Sequence, residues 1–245
     1  MRDEFPGYAG EIPYLSTRQM VEVDRAMIED YGIELIQMME NAGRNLAHLA
    51  RGRFLGADPR GKSVAVLAGR GGNGGGALVG ARRLHNWGAR VRVCLSRAVE
   101  DFAGVPDHQL GILWRMGVEI GPPATISGTA HDLILDGIIG YSLDGDPRGA
   151  AKDLIAWAND QDTPVLSLDA PSGVDASTGT VYDPAVTAAA TLTLALPKEG
   201  LRVSGVEEKV GELYLADISV PPELYGGLGL EVPRIFAEDD IVRLR

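Results

Sequence analysis

Two aspartates and one asparagine lie at the ends of predicted strands, where loops begin. Asn73 lies in a glycine-rich stretch that follows the apolar run 64–68, VAVLA. Asp136 ends the run LILD, and Asp169 ends the run VLSLD, three residues before Ser172. A carboxylate at a strand end can transfer protons or bind a cation. Either aspartate alone could simply cap a turn, but two of them beside the glycines favour a functional cleft.

Three of these side chains together suggest a cation site. Asn73, Asp136 and Ser172 would offer one carboxylate and otherwise neutral oxygens, which suit a low-charge cation better than zinc. None of the four histidines has metal-ligand spacing, so each is interpreted as structural. The sequence contains neither G-x-S-x-G nor G-x-x-x-x-G-K-[ST], which argues against a serine hydrolase and a P-loop NTPase.

The glycine-rich stretch places six glycines in the eight residues 69–76 and then resumes a helical pattern, ALVGARRL. This order predicts a buried strand, a tight turn and a helix. We expect the glycines to permit positive φ and close approach of a ligand, with the helix N-terminus facing an anion such as a phosphate. The alternative is a tight turn that binds nothing.

A dinucleotide fingerprint would require more than this turn. G-x-G-x-x-G occurs once, at Gly69, Gly71 and Gly74, and a lone match of that kind is weak. The fingerprint also calls for an acid about 20 residues later, at the end of the next strand. That strand ends instead with Ser96 and Arg97. The pattern disfavours a dinucleotide-dependent dehydrogenase, although Arg97 keeps an NADP interpretation open.

Composition narrows the class of protein. The chain has 245 residues, 45% of them hydrophobic, and a net charge of −11, which argues against nucleic-acid binding and against anionic membranes. Its single cysteine, Cys94, excludes an internal disulfide framework and fits a reducing compartment. There is no membrane-length apolar run, and the N-terminus lacks the order of a signal peptide. We therefore expect a cytoplasmic protein.

Strands that alternate with helices predict an α/β fold whose largely parallel sheet is covered on both faces. We expect one domain over 1–245, with an irregular arm at 1–15 and a surface tail at about 225–245. Ser16 and Gln19 form a capping-box pattern at the start of a first helix. Asn41 and Gly43 interrupt the second helix, about 34–54, which indicates either close packing or a nearby site.

These motifs together resemble the YjeF N-terminal domain family, the NAD(P)H-hydrate epimerases. The resemblance covers about residues 13 to 220 and includes STRQM, MMENAGR, GRGGNGGGALVGARRL, LILDGIIG, LDAPSGVDASTG and TLTLALPKEGL. It implies a Rossmann-like three-layer α/β/α sandwich, usually a homodimer. It also implies interconversion of the R and S hydrates of NADH and NADPH (NADHX and NADPHX), a repair step upstream of a separate dehydratase. One potassium ion per subunit would support the reaction.

The resemblance also implies roles for individual residues. Asp169 would contact the hydrated ring and transfer protons. Potassium would be bound by Asn73, Asp136 and Ser172, and Lys198 matches the lysine of the late P-K motif. The remaining positions correspond to the backbone segments that hold the ligand: Gly72, Asn73, Gly74, Gly75, Gly76, Gly140, Tyr141, Ser142, Leu143, Asp144, Gly145 and Asp146.

The sequence departs from the family pattern at several positions. Gly72 replaces an asparagine, Gly76 an aspartate and Ala77 a glycine, and Ala189 stands where an aspartate is often found. The segment 139–142 reads IGYS in place of FGTG. These changes keep two alternatives open: a binding or scaffold module that has lost the chemistry, and an enzyme that acts on a different nucleotide-like ligand.

Overall fold

An eight-stranded sheet forms the centre of the molecule. The computed structural model describes residues 5–141, 143 and 145–245. The strand order is β3-β2-β1-β4-β5-β6-β7-β8, and all neighbours are parallel except β7 and β8. The strands are β1 (Ser63–Ala68), β2 (Arg90–Leu95), β3 (Glu119–Gly121), β4 (Leu133–Gly137), β5 (Val165–Leu168), β6 (Ala190–Leu194), β7 (Glu212–Ala216) and β8 (Ile241–Arg243).

Helices cover both faces of this sheet, as the alternating pattern predicts. They are α1 (Thr17–Glu29), α2 (Leu35–Leu49), α3 (Gly72–Asn86), α4 (Gly104–Arg115), α5 (Ala150–Asn159), α6 (Glu207–Val210) and α7 (Pro222–Gly227). On one face, Val64 and Val66 of β1 belong to a core shared with α2, α3 and α4. On the other face, Ala65 and Leu67 belong to a core shared with α5. The expected α/β/α sandwich is confirmed.

Strand β1 is buried along its whole length because it lies in the middle of the sheet. It pairs with β2 on one side and β4 on the other. The strands before β4 therefore extend the sheet to one side of β1, and those from β4 onwards extend it to the other side. In parallel sheets, ligands bind beyond the carboxyl ends of the strands at such a reversal of strand order. The turn that follows β1 therefore opens directly onto the expected binding position.

The glycines after β1 serve a different purpose from the one expected. Helix α3 begins at Gly72, and no glycine in 69–76 has positive φ. Cβ atoms would instead overlap neighbouring backbone: one on Gly69 would overlap the Ile138 carbonyl, and one on Gly74 would overlap the Gly69 carbonyl. These glycines thus allow the turn to pack tightly against the loop after β4 and against itself.

Close packing also explains the glycine inside α2. A Cβ on Gly43 would overlap the Gly76 carbonyl oxygen and the Val79 side chain of α3. Asn41 donates a hydrogen bond through Nδ2 to the Ile218 carbonyl at 3.3 Å. The packing interpretation therefore applies to Gly43, which brings α2 against the glycine-rich start of α3.

Both ends of the chain reach the last two strands. The predicted capping box is present: Ser16 Oγ accepts from the Gln19 amide, and Gln19 Oε1 accepts from the Ser16 amide at 3.0 Å. In the described part of the N-terminal arm, Gly7 forms a bridge with Arg243. The tail contributes β8 as an antiparallel edge strand. Among the described residues, no helix combines the length and apolar character needed to cross a membrane.

Candidate functional site

A cleft of about 910 Å³ lies at the carboxyl ends of the strands. Its walls come from α1, α2, the turn after β1 and the loop after β4. The ends of β2, β5 and β6 contribute Arg97, Asp169 and Leu194. Of the predicted catalytic and metal-binding residues, Asp169 and Asn73 line this cleft. The cleft is large enough for a nucleotide-sized ligand.

Asp169 and Lys198 form a buried ion pair in this cleft. Their side chains are 5% and 1% exposed. Lys198 Nζ donates to Asp169 Oδ1 and also to the Leu194 carbonyl at 2.9 Å. The Leu194 amide approaches the same Oδ1 at 3.3 Å. No described residue donates to Asp169 Oδ2, so that oxygen is the one available to a ligand.

The backbone at Asp169 is held in an unusual conformation. Its φ is +66°, in the left-handed region that non-glycine residues rarely adopt. The Ala170 amide donates to the Leu168 carbonyl at 2.9 Å, which closes a tight turn around Asp169, and the Asp169 amide donates to the Leu192 carbonyl at 2.7 Å. Backbone strain of this kind costs about 1–3 kcal/mol and is concentrated at functional sites.

Asp136 lies beneath the cleft and does not line it. Its carboxylate is fully buried and accepts four hydrogen bonds. Ser172 donates to it through Oγ at 2.6 Å and through its amide at 2.8 Å, while Ser167 Oγ donates at 2.8 Å and the Ile138 amide at 3.2 Å. Burial raises the pKa of Asp136, and the four hydrogen bonds oppose that shift.

Asn73 brings a second oxygen towards this cluster. Its Nδ2 donates to the Leu168 carbonyl at 2.8 Å, directly before Asp169. A Cβ on Gly140 would lie 3.2 Å from Asn73 Oδ1, a tight contact, so glycine lets the loop pass close to the amide. Within the described chain, Asn73 Oδ1 accepts no hydrogen bond. Asn73 and Ser172 thus both contact the loop after β4, Asn73 at Gly140 and Ser172 at Ile139.

The oxygens of Asn73, Asp136 and Ser172 are of a kind that would suit an alkali cation better than a transition metal. Ser172 Oγ lies 3.2 Å from the Ile139 carbonyl, which adds a main-chain oxygen to the Asp136 and Asn73 oxygens. The described residues contain no cluster of three or more His, Cys, Asp or Glu side chains. One negative charge among neutral oxygens matches a monovalent cation.

The structure adds Asp24 to the site and pairs it with the predicted residue Tyr141. The Tyr141 hydroxyl donates to Asp24 Oδ2 at 2.5 Å, and both residues line the cleft. Burial raises the pKa of Asp24, with Tyr141 and Lys198 opposing the shift and Asp169 adding to it. Asp24 was missed as a site residue from the sequence. The available signal was its position between Met20 and Met27 on the apolar face of α1.

The predicted ligand-binding segments divide into two groups. Gly72 in the first segment and Gly140, Tyr141, Leu143, Gly145 and Asp146 in the second line the cleft. Gly74, Gly75 and Gly76 do not, because they are buried in α3; a Cβ on Gly75 would meet Met39, and one on Gly76 would meet Leu168. Ser142 and Asp144 lie outside the described residues.

Fold and site define the class of protein first. The chain is a doubly wound α/β protein with a nucleotide-sized cleft at the reversal of strand order, floored by an aspartate–lysine pair. Residues 35–200 match the profile of the family described as YjeF-related protein N-terminus. The match covers more than half of the chain, and the chain belongs to this family.

Relatives and a solved structure agree with this assignment. An NAD(P)H-hydrate epimerase of Dehalogenimonas lykanthroporepellens is 44% identical over 213 residues, which cover 86% of this chain and 84% of that protein. A bifunctional NAD(P)H-hydrate repair enzyme Nnr of Salinibacter ruber is 35% identical over 86% of this chain, which spans 41% of its length. The crystal structure of yeast ynu0, YNL200c, matches 95% of the chain with a TM-score of 0.80 at 24% identity, and shows the fold.

Proposed function

We propose that this protein is an NAD(P)H-hydrate epimerase, which interconverts the R and S forms of hydrated NADH and NADPH. The observation that carries this conclusion is the Asp169–Lys198 pair in the cleft, in a chain 44% identical to a protein named for that activity. The fold supplies a dinucleotide-type binding position at the same edge.

The reaction inverts the configuration at one carbon of the hydrated ring. Water added to a dihydronicotinamide ring leaves its hydroxyl on a carbon bonded to the ring nitrogen. That C–O bond breaks when the hydroxyl accepts a proton and leaves as water, while the nitrogen lone pair forms a C=N bond. Water then adds to the other face and gives up a proton. The chemistry therefore needs a group that gives and takes protons beside the ring.

We propose Asp169 as the group that performs this proton transfer. Lys198 and the Leu194 amide contact its Oδ1, which leaves Oδ2 to donate to and accept from the ring hydroxyl. The tight turn around Asp169 fixes the direction of the carboxylate, because its amide and that of Ala170 are both held by carbonyls. Asp24, hydrogen-bonded to Tyr141, supplies a second titratable group in the same cleft.

The Asn73, Asp136 and Ser172 oxygens are proposed to hold a potassium ion. When bound, the ion would supply fixed positive charge beside the ligand-holding loops. We expect potassium chloride, at constant ionic strength against choline chloride, to raise both the thermal midpoint and the activity. The Asp136→Asn variant should lose this dependence. Equal midpoints in both salts would remove potassium from the proposal.

The proposed partners follow from the reaction. An epimerase is useful only if one epimer is consumed, so we propose that a dehydratase acts on the S form. We also propose that the protein is a homodimer. We propose a cytoplasmic location, because the enzyme would repair a pool of reduced cofactor there. Sedimentation equilibrium tests the dimer, since a monomer mass at micromolar concentration would contradict it.

Two of the departures from the family pattern that suggested a scaffold module are explained by packing instead. Gly76 lies in α3 with Leu168 beside it, and Ala77 packs against Gly137 of β4, so these departures belong to the helix–sheet contact. Of the departures in this turn, Gly72 lines the cleft, with Met39 3.9 Å from where its Cβ would be, and the departures Ile139 and Tyr141 of the loop after β4 line it too. The proposed acid, Asp169, lines the cleft beside Lys198, which favours an enzyme over a scaffold.

Turnover of the R hydrate tests the function directly. A dehydratase that consumes only the S hydrate first removes the S form, after which the remaining R form disappears at the rate of epimerisation. The protein should raise this rate in proportion to its concentration with potassium present. Asp169→Asn should lower it about 10²- to 10⁴-fold, the usual contribution of general acid–base catalysis. The surface variant Asp107→Asn is the matched control.

A rate no higher than the spontaneous one would contradict the proposal. So would full activity of Asp169→Asn, since the reaction would then use another proton donor.

A further inference from the structure

The end of β2 forms a part of the cleft that the proposed chemistry does not use. Ser96 and Arg97 follow this strand and line the same cavity as Asp169. Strand β2 is the neighbour of β1, whose turn starts α3. In doubly wound folds with the order 3-2-1-4-5-6, the residue at this strand end meets the adenosine ribose: an acid binds its 2′-hydroxyl and a nearby arginine accommodates a 2′-phosphate.

The sheet sets the distance between this position and the acid. Strands β2 and β5 are separated by β1 and β4, which amounts to three strand spacings, about 14 Å. The turn after β1 lies between them, where a pyrophosphate would meet the N-terminus of α3. A dinucleotide whose hydrated ring lay at Asp169 would extend across this turn and present its adenosine ribose at Ser96 and Arg97.

The local charge here differs from that of the whole molecule. The protein carries a net charge of −11, yet Arg70 and Arg97 both line this end of the cleft. Neither forms an ion pair with a described residue, and this includes Glu100 and Asp101 just after β2. A guanidinium group at the ribose position, with a second one on the turn after the adjacent strand β1, favours a ligand with an additional phosphate there.

We propose that Arg97, with Arg70 on the turn after the adjacent strand, binds the 2′-phosphate of hydrated NADPH. Loss of Arg97 should therefore lower the efficiency with which the enzyme epimerises NADPH hydrate. This inference rests on the proposed function for its substrate and adds a specificity-determining residue to it. Because the 2′-phosphate is absent from NADH hydrate, substitution of Arg97 should affect one substrate and spare the other.

The kinetic experiment compares kcat/KM for the two hydrates in the coupled assay. Arg97→Ala should lower the value for NADPH hydrate about tenfold to a hundredfold and change that for NADH hydrate less than threefold, as expected for loss of a charge-assisted hydrogen bond. Arg97→Glu should go further and reverse the preference, because an acid repels the phosphate and accepts from a 2′-hydroxyl. Arg90→Ala, at the opposite end of β2, is the matched control.

A binding experiment tests the site without turnover. Calorimetry with 2′-phospho-ADP-ribose and ADP-ribose uses probes that differ only in the 2′-phosphate. The wild type should bind the phosphorylated probe more tightly, and Arg97→Ala should remove most of that difference. Arg90→Ala should retain it.

The outcomes separate this inference from the function. If Arg97 variants leave the ratio of the two hydrates and of the two probes unchanged while the wild type turns over, the 2′-phosphate site is wrong and the epimerase stands. If the wild type turns over neither hydrate, the function is wrong, and the calorimetric difference between wild type and Arg97→Ala still decides the phosphate site.

Discussion

The buried ion pair of Asp169 and Lys198 is the main electrostatic feature of this site. Lys198 is almost fully buried, so its charge depends on Asp169 and on the Leu194 carbonyl for compensation. Such a pair stabilises a fold little compared with apolar packing, but breaking it is costly because one charge is left uncompensated. Together with the strained backbone at Asp169, the pair is better explained by function than by stability.

Removing both partners of this pair should therefore cost less than the sum of the losses from removing each one alone. We expect Asp169→Asn or Lys198→Met alone to destabilise the protein by about 3–5 kcal/mol. The double variant should lose less than the sum, with a coupling energy of about 1–3 kcal/mol. Urea unfolding of the four proteins measures this cycle, and Lys152→Met on the surface of α5 is the control. Additive losses would mean that the two side chains do not interact.

Asp24 leads to a prediction on pH dependence. Its pKa is raised by burial, so the folded protein binds this proton more tightly than the unfolded chain does. Ionised Asp24 therefore lowers stability as the pH rises above the unfolded pKa. Tyr141, Lys198 and Asp169 are the titratable groups that face it.

Asp24→Asn should remove this cost and keep an oxygen for the Tyr141 hydroxyl. Its thermal midpoint should rise relative to wild type as the pH increases from 4 to 7, with little difference at pH 4. Asp30→Asn is a control of opposite sign, because the Arg25 hydrogen bond lowers the pKa of Asp30 and ionisation there favours the folded state. A midpoint difference independent of pH would contradict the assignment for Asp24.

The pairing of α2 with α3 shows how glycine positions an element. Gly43 and the glycines at the start of α3 let the two helices approach until backbone meets side chain. This contact holds the start of α3, and with it Asn73, next to β5 and the loop after β4. The glycine-rich stretch thus builds the site by permitting contact between elements.

Gly43→Ala should disrupt this contact. The added methyl group would overlap the Gly76 carbonyl and Val79, so we expect a loss of about 1–3 kcal/mol. Gly111→Ala in α4 is the matched control: its nearest neighbour would be the flexible end of Arg115 at 3.5 Å, and alanine favours helix by up to about 1 kcal/mol. Chemical denaturation compares the two variants, and equal effects would contradict the packing explanation.

At the scale of the molecule, the two chain ends close the sheet on the side away from Arg97. Strand β8 pairs with β7, and the N-terminal arm bridges to β8 at Gly7. Val242 of β8 belongs to the apolar cluster that also contains Met20 and Met27 of α1. Because α1 carries Asp24 into the cleft, this distant edge supports one wall of the site.

A charge within β8 should therefore destabilise the whole domain. Val242 is 4% exposed, and Val242→Asp should cost about 3 kcal/mol or more through burial of a carboxylate. Val203, 40% exposed, offers the control Val203→Asp, which should change stability by less than about 0.5 kcal/mol. Thermal unfolding distinguishes the two variants. A small effect at Val242 would show that the predicted tail is dispensable.

Local patterns were sufficient for the elements and for part of the site. The capping box at Ser16 and Gln19 and the uniformly apolar run of β1 predicted their structures because the physical cause of each lies within a few residues. Asp169 was also identified in this way, since the end of an apolar run marks the end of a strand. The assignment of epimerisation came from the resemblance of several motifs together.

Contacts between distant segments decided the rest. The order of strands brings Asp24, Tyr141, Asp169 and Lys198 to one cleft although they are spread over 175 positions of sequence, and no local pattern encodes such proximity. Burial of Asp136 beneath the cleft, and the packing role of the glycines after β1, likewise depend on neighbours far away in the chain. Secondary structure follows from short-range sterics and periodicity, whereas the geometry of the site follows from the way in which the sheet assembles.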